Sequence, residues 1–361
     1  MLKLAKRPLI IAGNGAIRKC SSRYLRRLVE ALNIPVVHTF MGKGAVSDRA
    51  SQSLLAMGLG FKDYVFEAVF AADLILTVGY DIAEYAPEKW NLNTGIPVVH
   101  IDFTPAEVYT HYRPAVEVVG DISSVLHTLN ERLADTISPF DASWYAPVRA
   151  RILREIASYT LSDEEERFTV PGVLNLLREI MRDDGLLISD VGAHKLWIAR
   201  NYLTCCANGC IISNGLASMG IALPGGIAAS LIDPQREVVA AMGDGGFLMN
   251  AQELETAKRL GVGFTILIFN DNDYGLISWK QRLARDRSVF TRITNPDFKA
   301  YAESFGILSY RPRTVRELKQ QLSDAVTSRQ LCVIEVPVDA SVNDKLSDKL
   351  EAFGSSTIEL R

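Results

Sequence analysis

The sequence predicts an α/β protein with two doubly wound parallel-sheet domains, and three observations lead to this prediction. Short apolar runs that end in glycine or a polar residue alternate with stretches of helical periodicity, which is the pattern of parallel sheets covered by helices. The alternation occurs twice, over about residues 1–130 and again from Val170 to about Val338. The length of 361 residues also suits two domains of ordinary size.

The first domain is expected over residues 1–132. Its strands are predicted within residues 7–15, 34–38, 72–79 and 96–102, and a helix is predicted at about 21–32. Gly13-Asn14-Gly15 starts like a dinucleotide-binding fingerprint. The third glycine is absent and Arg18 follows, so the motif does not complete an NAD site.

Residues 133–168 are expected to connect the domains and to contain a helix at about Ala146–Tyr159 whose charges face solvent. The second domain is expected over residues 169–361. Within it, Val238–Met242 and Phe264–Phe269 are predicted strands, and residues 251–260 between them are a predicted helix. Because such crossovers are right-handed and join parallel strands, the two strands should be parallel members of one sheet.

An acidic residue follows each of these two strands. Asp244 lies in Gly243–Gly246 and Asp271 in Asn270–Asp273. The carboxyl ends of parallel strands share one edge, where open α/β sheets bind ligands. Carboxylate oxygens suit Mg²⁺ or Ca²⁺, and Mg²⁺ leaves positions for phosphate oxygens. The glycines permit close backbone approach, and a helix predicted to start near Asn250 would offer N–H groups to an anion.

These residues therefore predict a site for a metal ion and a diphosphate. The alternative for the first motif alone is a solvated acidic turn, which the second acid at a matching strand end disfavours.

Composition excludes other classes of function. Hydrophobic residues make up 48% and charged residues 22%, as in ordinary soluble globular proteins. A net charge of −3 gives no reason to expect nucleic acid or an anionic membrane surface as partner. No apolar run approaches the roughly 20 residues of a membrane helix, and the first residues lack a signal-peptide pattern. We expect a cytoplasmic protein. Of its five cysteines, Cys205, Cys206 and Cys210 cluster in the sequence but lack zinc-site spacing, so buried free thiols are expected and a metal site is the alternative.

The two acidic motifs resemble the thiamine-diphosphate signature of the acetolactate synthase and pyruvate oxidase superfamily. The resemblance implies a metal ion, Mg²⁺, held by Asp244, by Asp271 and by a backbone carbonyl at Asp273. Many members have asparagine at the position of Asp271. An acid there remains a good Mg²⁺ ligand and adds negative charge to the site.

Further segments carry the same resemblance, which extends over almost the whole chain. Asp190–Trp197 resembles the segment that contacts the diphosphate, and Ser213–Gly220 resembles the segment that faces the aminopyrimidine ring. Met219 has the position of an apolar residue that holds the cofactor bent. The alternative for Met219 is a methionine that fills the core. The alternative for His194 is a histidine on the surface. The cofactor-binding residues so implied are Gly192, Ala193, His194, Ala217, Met219, Gly243, Gly245, Gly246, Tyr274, Gly275 and Leu276.

Some members of the superfamily bind FAD in the corresponding first domain. Flavin-dependent acetolactate synthases have an Arg-Phe-Asp-Asp-Arg run after the strand that corresponds to Leu74–Gly79, whereas this chain has Tyr80–Tyr85 there. Met57–Gly60 likewise replaces a Met-His-Gly run. Both changes remove polar groups that would contact a flavin, so FAD is not expected and the purified protein should be colourless.

The resemblance also implies a domain that this chain does not match. In the superfamily a pyrimidine-binding domain supplies a glutamate that drives deprotonation of the cofactor, and it contacts the diphosphate domain of a partner subunit. We therefore expect no catalytic residue in this chain, and we expect an N-terminal domain or a separate subunit that carries the pyrimidine site. A shortened copy of a full enzyme, one subunit of a split enzyme and a non-catalytic binding protein remain open.

The implied function is decarboxylation of pyruvate and carboligation to 2-acetolactate, dependent on thiamine diphosphate and Mg²⁺, in a homo-oligomer. The alternatives are another 2-oxo-acid decarboxylase or carboligase, such as a benzaldehyde lyase-like enzyme, and a cofactor-binding subunit without activity. A tryptophan that tunes substrate choice in anabolic members corresponds to Lys280, one residue after Trp279. The acceptor substrate therefore stays open.

Overall fold

A computed structural model of the protein describes residues 1–350 apart from residues 61, 92–94 and 134–135. The strands form two six-stranded sheets in which neighbouring strands run parallel. The predicted fold class is therefore confirmed. Residues 351–361 of the predicted second domain lie outside the described residues. Within the described ranges no helix has the length and apolar character needed to cross a membrane.

The first sheet is covered on both faces by helices. Its strands are β1 (Pro8–Ala12), β2 (Val36–His38), β3 (Ser53–Ala56), β4 (Leu74–Val78), β5 (Val98–Asp102) and β6 (Val116–Val119). Its helices are α1 (Ser21–Leu32), α2 (Val65–Ala71), α3 (Ile122–Leu133) and α4 (Ala146–Ala157). Helices α1 and α3 pack on one face, and α2 and α4 on the other. The strand order β3-β2-β1-β4-β5-β6 reverses direction between β1 and β4, which opens a crevice at their carboxyl ends.

The second sheet has the order β11-β12-β10-β9-β7-β8 once its strands are numbered along the chain. They are β7 (Leu186–Ser189), β8 (Cys210–Ile212), β9 (Val238–Gly243), β10 (Thr265–Asn270), β11 (Leu308–Tyr310) and β12 (Cys332–Pro337). The helices are α5 (Val170–Ile180), α6 (Ala193–Asn201), α7 (Ala222–Ile232), α8 (Asp244–Asn250), α9 (Glu253–Leu260), α10 (Gly275–Arg285), α11 (Phe298–Ser304), α12 (Val315–Ser328) and α13 (Asp344–Leu350). Strands β9 and β10 are neighbours, with Gly243 opposite Phe269, as the βαβ pattern predicted.

The segment between β9 and β10 differs from the prediction of a single helix over 251–260. Helix α8 begins at Asp244, directly after the strand, and α9 follows a short turn. The predicted helix is α9, which begins at Glu253 and ends at Leu260 as expected, whereas α8 was not predicted. Helix α8 was not predicted because glycine has a low helix propensity. Only glycine fits at position 246, because a Cβ there would lie 2.1 Å from Asp190 Oδ2. Tertiary packing overrides the local preference.

Helix α4 is more than a connection with solvated charges. Its apolar residues Val148, Ile152 and Ile156 are buried in the core beside α2. The guanidinium of Arg149 donates hydrogen bonds to the backbone carbonyls of Ser53 and Asp48. The expectation that this helix keeps its charges in solvent is thus wrong for Arg149. Since the helix covers a face of the first sheet, it is part of that domain's core.

A buried interdomain cluster, formed by Lys43, Asp48, Ser53 and Thr204, joins the two domains. Asp48 N–H donates to Thr204 O at 2.9 Å, and Thr204 N–H donates to Asp48 Oδ2 at 2.9 Å. Lys43 Nζ lies 3.2 Å from Asp48 Oδ2, and Ser53 Oγ donates to Oδ1 at 3.0 Å. Burial would raise the pKa of Asp48, but Lys43 holds it below the usual value. The ion pair is fully enclosed.

All five cysteines are free, as expected, but the expectation of buried thiols is correct only for Cys210 and Cys332. Cys20 is exposed, and Cys205 and Cys206 are half-buried.

Candidate functional site

A cavity of about 270 Å³ lies at the carboxyl edge of the second sheet, beyond the ends of β7, β9 and β10. We refer to it as the carboxyl-edge pocket. Every metal-binding and cofactor-binding residue predicted from the sequence lines it: Gly192, Ala193, His194, Ala217, Met219, Gly243, Asp244, Gly245, Gly246, Asp271, Asp273, Tyr274, Gly275 and Leu276. The fold thus brings together four segments that are far apart in the sequence.

Asp244 is almost fully buried at the start of α8, and both of its carboxylate oxygens accept hydrogen bonds. Oδ1 accepts from Gly245 N–H at 2.8 Å. Oδ2 accepts from Asn272 N–H at 2.8 Å and from Asn295 Nδ2 at 2.7 Å. Burial raises the pKa of Asp244, and these bonds oppose the rise. The orientation of the carboxylate is therefore set by the protein itself.

Asp271 and Asp273 follow β10, the strand next to β9, and so lie beside Asp244. Burial, together with the charge of Asp244, raises the pKa of Asp271 to about 7. Asp273 N–H donates to Asp271 Oδ1 at 3.3 Å. Asp273 Oδ1 is buried and has no hydrogen-bond partner among the described residues. The pocket therefore holds more negative charge than the surrounding protein compensates.

His194 stands in the wall of the pocket at the first turn of α6. The residue is 5% exposed, so the alternative of a surface histidine is wrong. Burial lowers the pKa of His194 to about 4, and the ring is therefore neutral near pH 7. Its Nε2 is buried, and in the described part of the chain nothing hydrogen-bonds it. A buried polar atom of this kind normally has a partner, which indicates a ligand in the pocket.

Two helices begin at the pocket wall. The N-terminal residues of α6 and α10, Ala193 and Gly275, both line the cavity. The N-terminus of a helix presents unpaired N–H groups and a partial positive charge. The pocket therefore offers both acidic groups and anion-binding groups.

The loop at 213–221 carries Ala217 and Met219 to the pocket. Asp190 holds this loop, because its Oδ2 accepts from Gly220 N–H and its Oδ1 from Ile221 N–H, each at 3.0 Å. Ala217 has a left-handed φ of 46°, a conformation that costs a non-glycine residue about 1–2 kcal/mol. Met219 is only partly buried, so it lines the pocket instead of filling the core.

Sequence reasoning missed several residues of the site. Asn295 donates to the side-chain oxygens of Asp244, Asn270 and Asn272 and so ties the two acidic motifs together. No motif marks Asn295, because its role depends on a contact between residues about 50 positions apart. The apolar part of the wall was also missed; it includes Val170, Val191, Phe269, Ile277, Val338 and Ala340.

Comparison with known protein families gives two matches. Residues 1–129 match the family described as thiamine pyrophosphate enzyme, central domain. Residues 190–336 match the thiamine pyrophosphate enzyme, C-terminal TPP binding domain. The second match contains β8 to β11, nearly all of β12 and most of the residues that line the carboxyl-edge pocket.

Individual relatives agree with these matches. The acetolactate synthase of Bacillus subtilis (strain 168) is 32% identical over 98% of this chain and 62% of its own length. The catabolic acetolactate synthase of Raoultella terrigena is 32% identical over 96% of this chain and 62% of its own length. The probable acetolactate synthase large subunit of Methanocaldococcus jannaschii is 29% identical over 93% of this chain and 58% of its own length. The chain thus spans about three-fifths of the length of these relatives.

Both domain matches and the relatives indicate the same family. The chain belongs to the thiamine pyrophosphate enzyme family, of which it contains the central domain and the C-terminal TPP-binding domain.

Proposed function

We propose that the carboxyl-edge pocket binds thiamine diphosphate through its diphosphate group and one Mg²⁺ ion. The metal ligands would be the carboxylates of Asp244 and Asp271 and the backbone carbonyl of Asp273, all of them hard oxygen ligands. In the described part of the chain, no three acidic, histidine or cysteine side chains form a complete metal site. Phosphate oxygens would therefore complete the coordination, which suits the preference of Mg²⁺.

The observation that carries this proposal is that the pocket contains both carboxyl groups without a cation and polar groups without an acceptor or donor partner. The buried carboxyl group of Asp244 and the half-buried one of Asp271 raise each other's electrostatic energy, and a cation between them would relieve it. In the same pocket, the unpartnered Nε2 of His194 and the first turn of α6 lack a polar ligand. A magnesium diphosphate supplies both the cation and the anion.

The remaining predicted residues would surround the cofactor. Backbone groups of Gly192 and Ala193 would contact the diphosphate from one side and those of Gly243, Gly245 and Gly246 from another. Close packing requires glycine at two of these positions, since a Cβ on Gly245 would lie 2.7 Å from the Tyr274 ring and one on Gly246 still closer to Asp190. Tyr274, Gly275 and Leu276 would cover the site, and Met219 would hold the cofactor bent.

We further propose the acetolactate synthase reaction, in which pyruvate is decarboxylated and joined to a second pyruvate as 2-acetolactate. Two relatives that are 32% identical carry this name and support it. When bound, thiamine diphosphate supplies an electron sink for the decarboxylation. The residues of this chain hold the diphosphate, position the ring and enclose it with apolar side chains such as Leu276 and Val338, which exclude water.

The activating glutamate would come from a pyrimidine-binding domain outside these two domains, on a further domain or a partner subunit. We propose that the assembly is a homo-oligomer in which this domain covers the carboxyl-edge pocket. Relatives named large subunits also support an assembly with a second kind of chain.

Calorimetric titration with thiamine diphosphate, with and without Mg²⁺, tests the binding site. We expect Mg²⁺-dependent binding by the natural protein and by Asp324→Ala, which removes an exposed aspartate on α12. Asp244→Ala should bind at least about tenfold more weakly, because it removes a charged metal ligand whose contacts are worth about 1.5–3 kcal/mol. Binding that needs no Mg²⁺, or that survives in Asp244→Ala, would contradict the assignment.

Product analysis with pyruvate, in the presence of a separately added pyrimidine domain, tests the reaction. The expected product is 2-acetolactate. Acetaldehyde alone would indicate a decarboxylase, and other coupled products would indicate a different carboligase. If no pyrimidine domain restores turnover although the cofactor binds, the chain is a non-catalytic binding subunit.

A further inference from the structure

The crevice of the first sheet, at the carboxyl ends of β1 and β4, is the place where a sheet of this strand order binds an anionic ligand. The turn after β1 carries the backbone N–H groups that would bind a phosphate there. In this protein each of these groups already has an acceptor. The pairs are Gly13 N–H with Val78 O at 2.9 Å, Asn14 N–H with Glu84 Oε1 at 2.9 Å, Gly15 N–H with Gly79 O at 2.9 Å and Ala16 N–H with Gly13 O at 3.0 Å.

The glycines of this crevice bring two protein segments together. A Cβ on Gly13 would lie 2.3 Å from Gly79 O, and a Cβ on Gly79 would lie 2.4 Å from Ala16 N. The turn after β1 and the turn after β4 are therefore in direct backbone contact. Glycine at these positions could let a ligand approach the backbone closely, but here it lets the two turns approach each other.

The carboxyl group of Glu84 binds three donors from two other loops. Oε1 accepts from Asn14 N–H, as given above, and Oε2 accepts from the hydroxyl of Thr39, which follows β2. The backbone of Met41 also hydrogen-bonds the carboxyl group. Burial raises the pKa of Glu84, and these three bonds oppose the rise. A carboxylate thus has the contacts that a phosphate would receive at the switch point of such a sheet.

What remains open in the crevice is unsuited to a diphosphate. A cavity of about 190 Å³ beside Asn14 is lined by the acids Asp81, Asp102 and Glu107, by one guanidinium, that of Arg18, and by the imidazole of His100. Three like charges against one would repel an anionic ligand.

Glu84 is also held from the second domain. Its backbone carbonyl accepts from Asn214 Nδ2 at 2.9 Å, and Asn214 Oδ1 accepts from Lys195 Nζ at 3.1 Å. The segment that carries Glu84 is therefore fixed between both domains and is not free to swing out of the crevice.

We infer that Glu84 is an internal anion that occupies the phosphate position of the first domain, so that this domain excludes nucleotide and dinucleotide diphosphates. The inference concerns only the first domain and does not depend on the function proposed for the carboxyl-edge pocket.

Titration with ADP in the absence of divalent metal tests this inference, with hydrogen exchange to locate the bound ligand. Glu84→Ala should bind ADP at least about tenfold more tightly than the natural protein and should gain protection at Asn14 and at residues 39–41, whose donors it releases. Glu84→Gln fills the same space without the charge and should bind ADP less tightly than Glu84→Ala. Glu30→Ala removes an exposed acid on α1 and should behave like the natural protein. ADP-dependent protection of residues 13–16 in the natural protein would overturn the inference, as would a Glu84→Ala variant that gains no binding.

If Glu84→Ala does not fold by itself, acetate provides the second measurement. Acetate can supply the missing carboxylate to the three donors, so it should restore folded protein and raise its melting temperature in a concentration-dependent manner. Chloride at equal ionic strength should not. Equal effects of both salts, or no rescue, would overturn the inference.

Discussion

Mg²⁺ binding at the carboxyl-edge pocket should depend on pH through Asp271. The metal ion binds the deprotonated carboxylate, and the pKa of Asp271 is raised to about 7 by burial and by Asp244. A group with this pKa is ionised in roughly a tenth of the molecules at pH 6 and in roughly nine-tenths at pH 8. The affinity for Mg²⁺ should therefore rise about tenfold over this interval, which corresponds to about 1.4 kcal/mol.

The matched variant is Asp271→Asn, which keeps an oxygen ligand and removes the titrating proton. The diphosphate of the cofactor has its own ionisation near pH 6, and this contributes equally to both proteins. The quantity to measure is therefore the difference in slope between the natural protein and Asp271→Asn, when Mg²⁺ is titrated into protein with thiamine diphosphate at pH 6, 7 and 8. If the two slopes are equal, Asp271 does not bind the metal as a carboxylate.

The same group has a defined effect on stability without metal. Its pKa is higher in the folded protein than the ordinary value of 3.8, so the folded state binds the proton more tightly than the unfolded state. The contribution of Asp271 to stability therefore falls as pH rises from about 4 to about 7. Without metal, the melting temperature of the natural protein minus that of Asp271→Asn should therefore fall between pH 5 and pH 7. A difference that rises over this interval would contradict the sign of this linkage.

Three further predictions concern other parts of the molecule. Gly246→Ala should destabilise the protein by about 1–3 kcal/mol in thermal unfolding, because the new Cβ would lie 2.1 Å from Asp190 Oδ2 and displace the carboxylate that holds the 213–221 loop. Gly120→Ala, whose Cβ would meet nothing within 4 Å, is the control, and equal melting temperatures would refute the clash. Asp48→Asn should lower the free energy of unfolding in urea by about 3–5 kcal/mol, because it leaves the buried charge of Lys43 without its partner. A decrease below about 1 kcal/mol would show that the pair is not ionised. The purified protein should show no flavin absorbance, and a flavin band would contradict the reasoning from the altered first-domain segments.

The pocket could be predicted from the sequence because its main groups lie at the ends of consecutive strands. Asp244 and Asp271 each follow an apolar run, and the direction of a parallel sheet places both acids at one edge whatever the details of the loops. The same reasoning does not extend to Asn295. Its contact with Asp244 depends on how a long loop without regular structure returns to the sheet, and no local pattern encodes that path.

Prediction from local helix propensity failed where tertiary packing opposes that propensity. Helix α8 contains two adjacent glycines, and the neighbours of Gly246 leave no room for a side chain there. In the first domain, the sequence around Glu84 revealed only that the polar residues of flavin-binding relatives are absent. That its carboxylate replaces an anion at Asn14 depends on the three-dimensional approach of segments 70 positions apart.

The contact between Asp48 and Thr204 bears on how the two domains can diverge. The second domain contributes main-chain groups to it, the N–H and the carbonyl of residue 204. Any residue except proline has these groups, but Thr204 is 1% exposed, so substitutions at position 204 should be tolerated when the new side chain is no larger than threonine. Asp48 has no such freedom, because its carboxylate must also neutralise Lys43. Chimeras that combine this first domain with the second domain of a relative should therefore assemble even when a different residue, no larger than threonine, stands at position 204, whereas exchange of the first domain must carry Lys43 and Asp48 together.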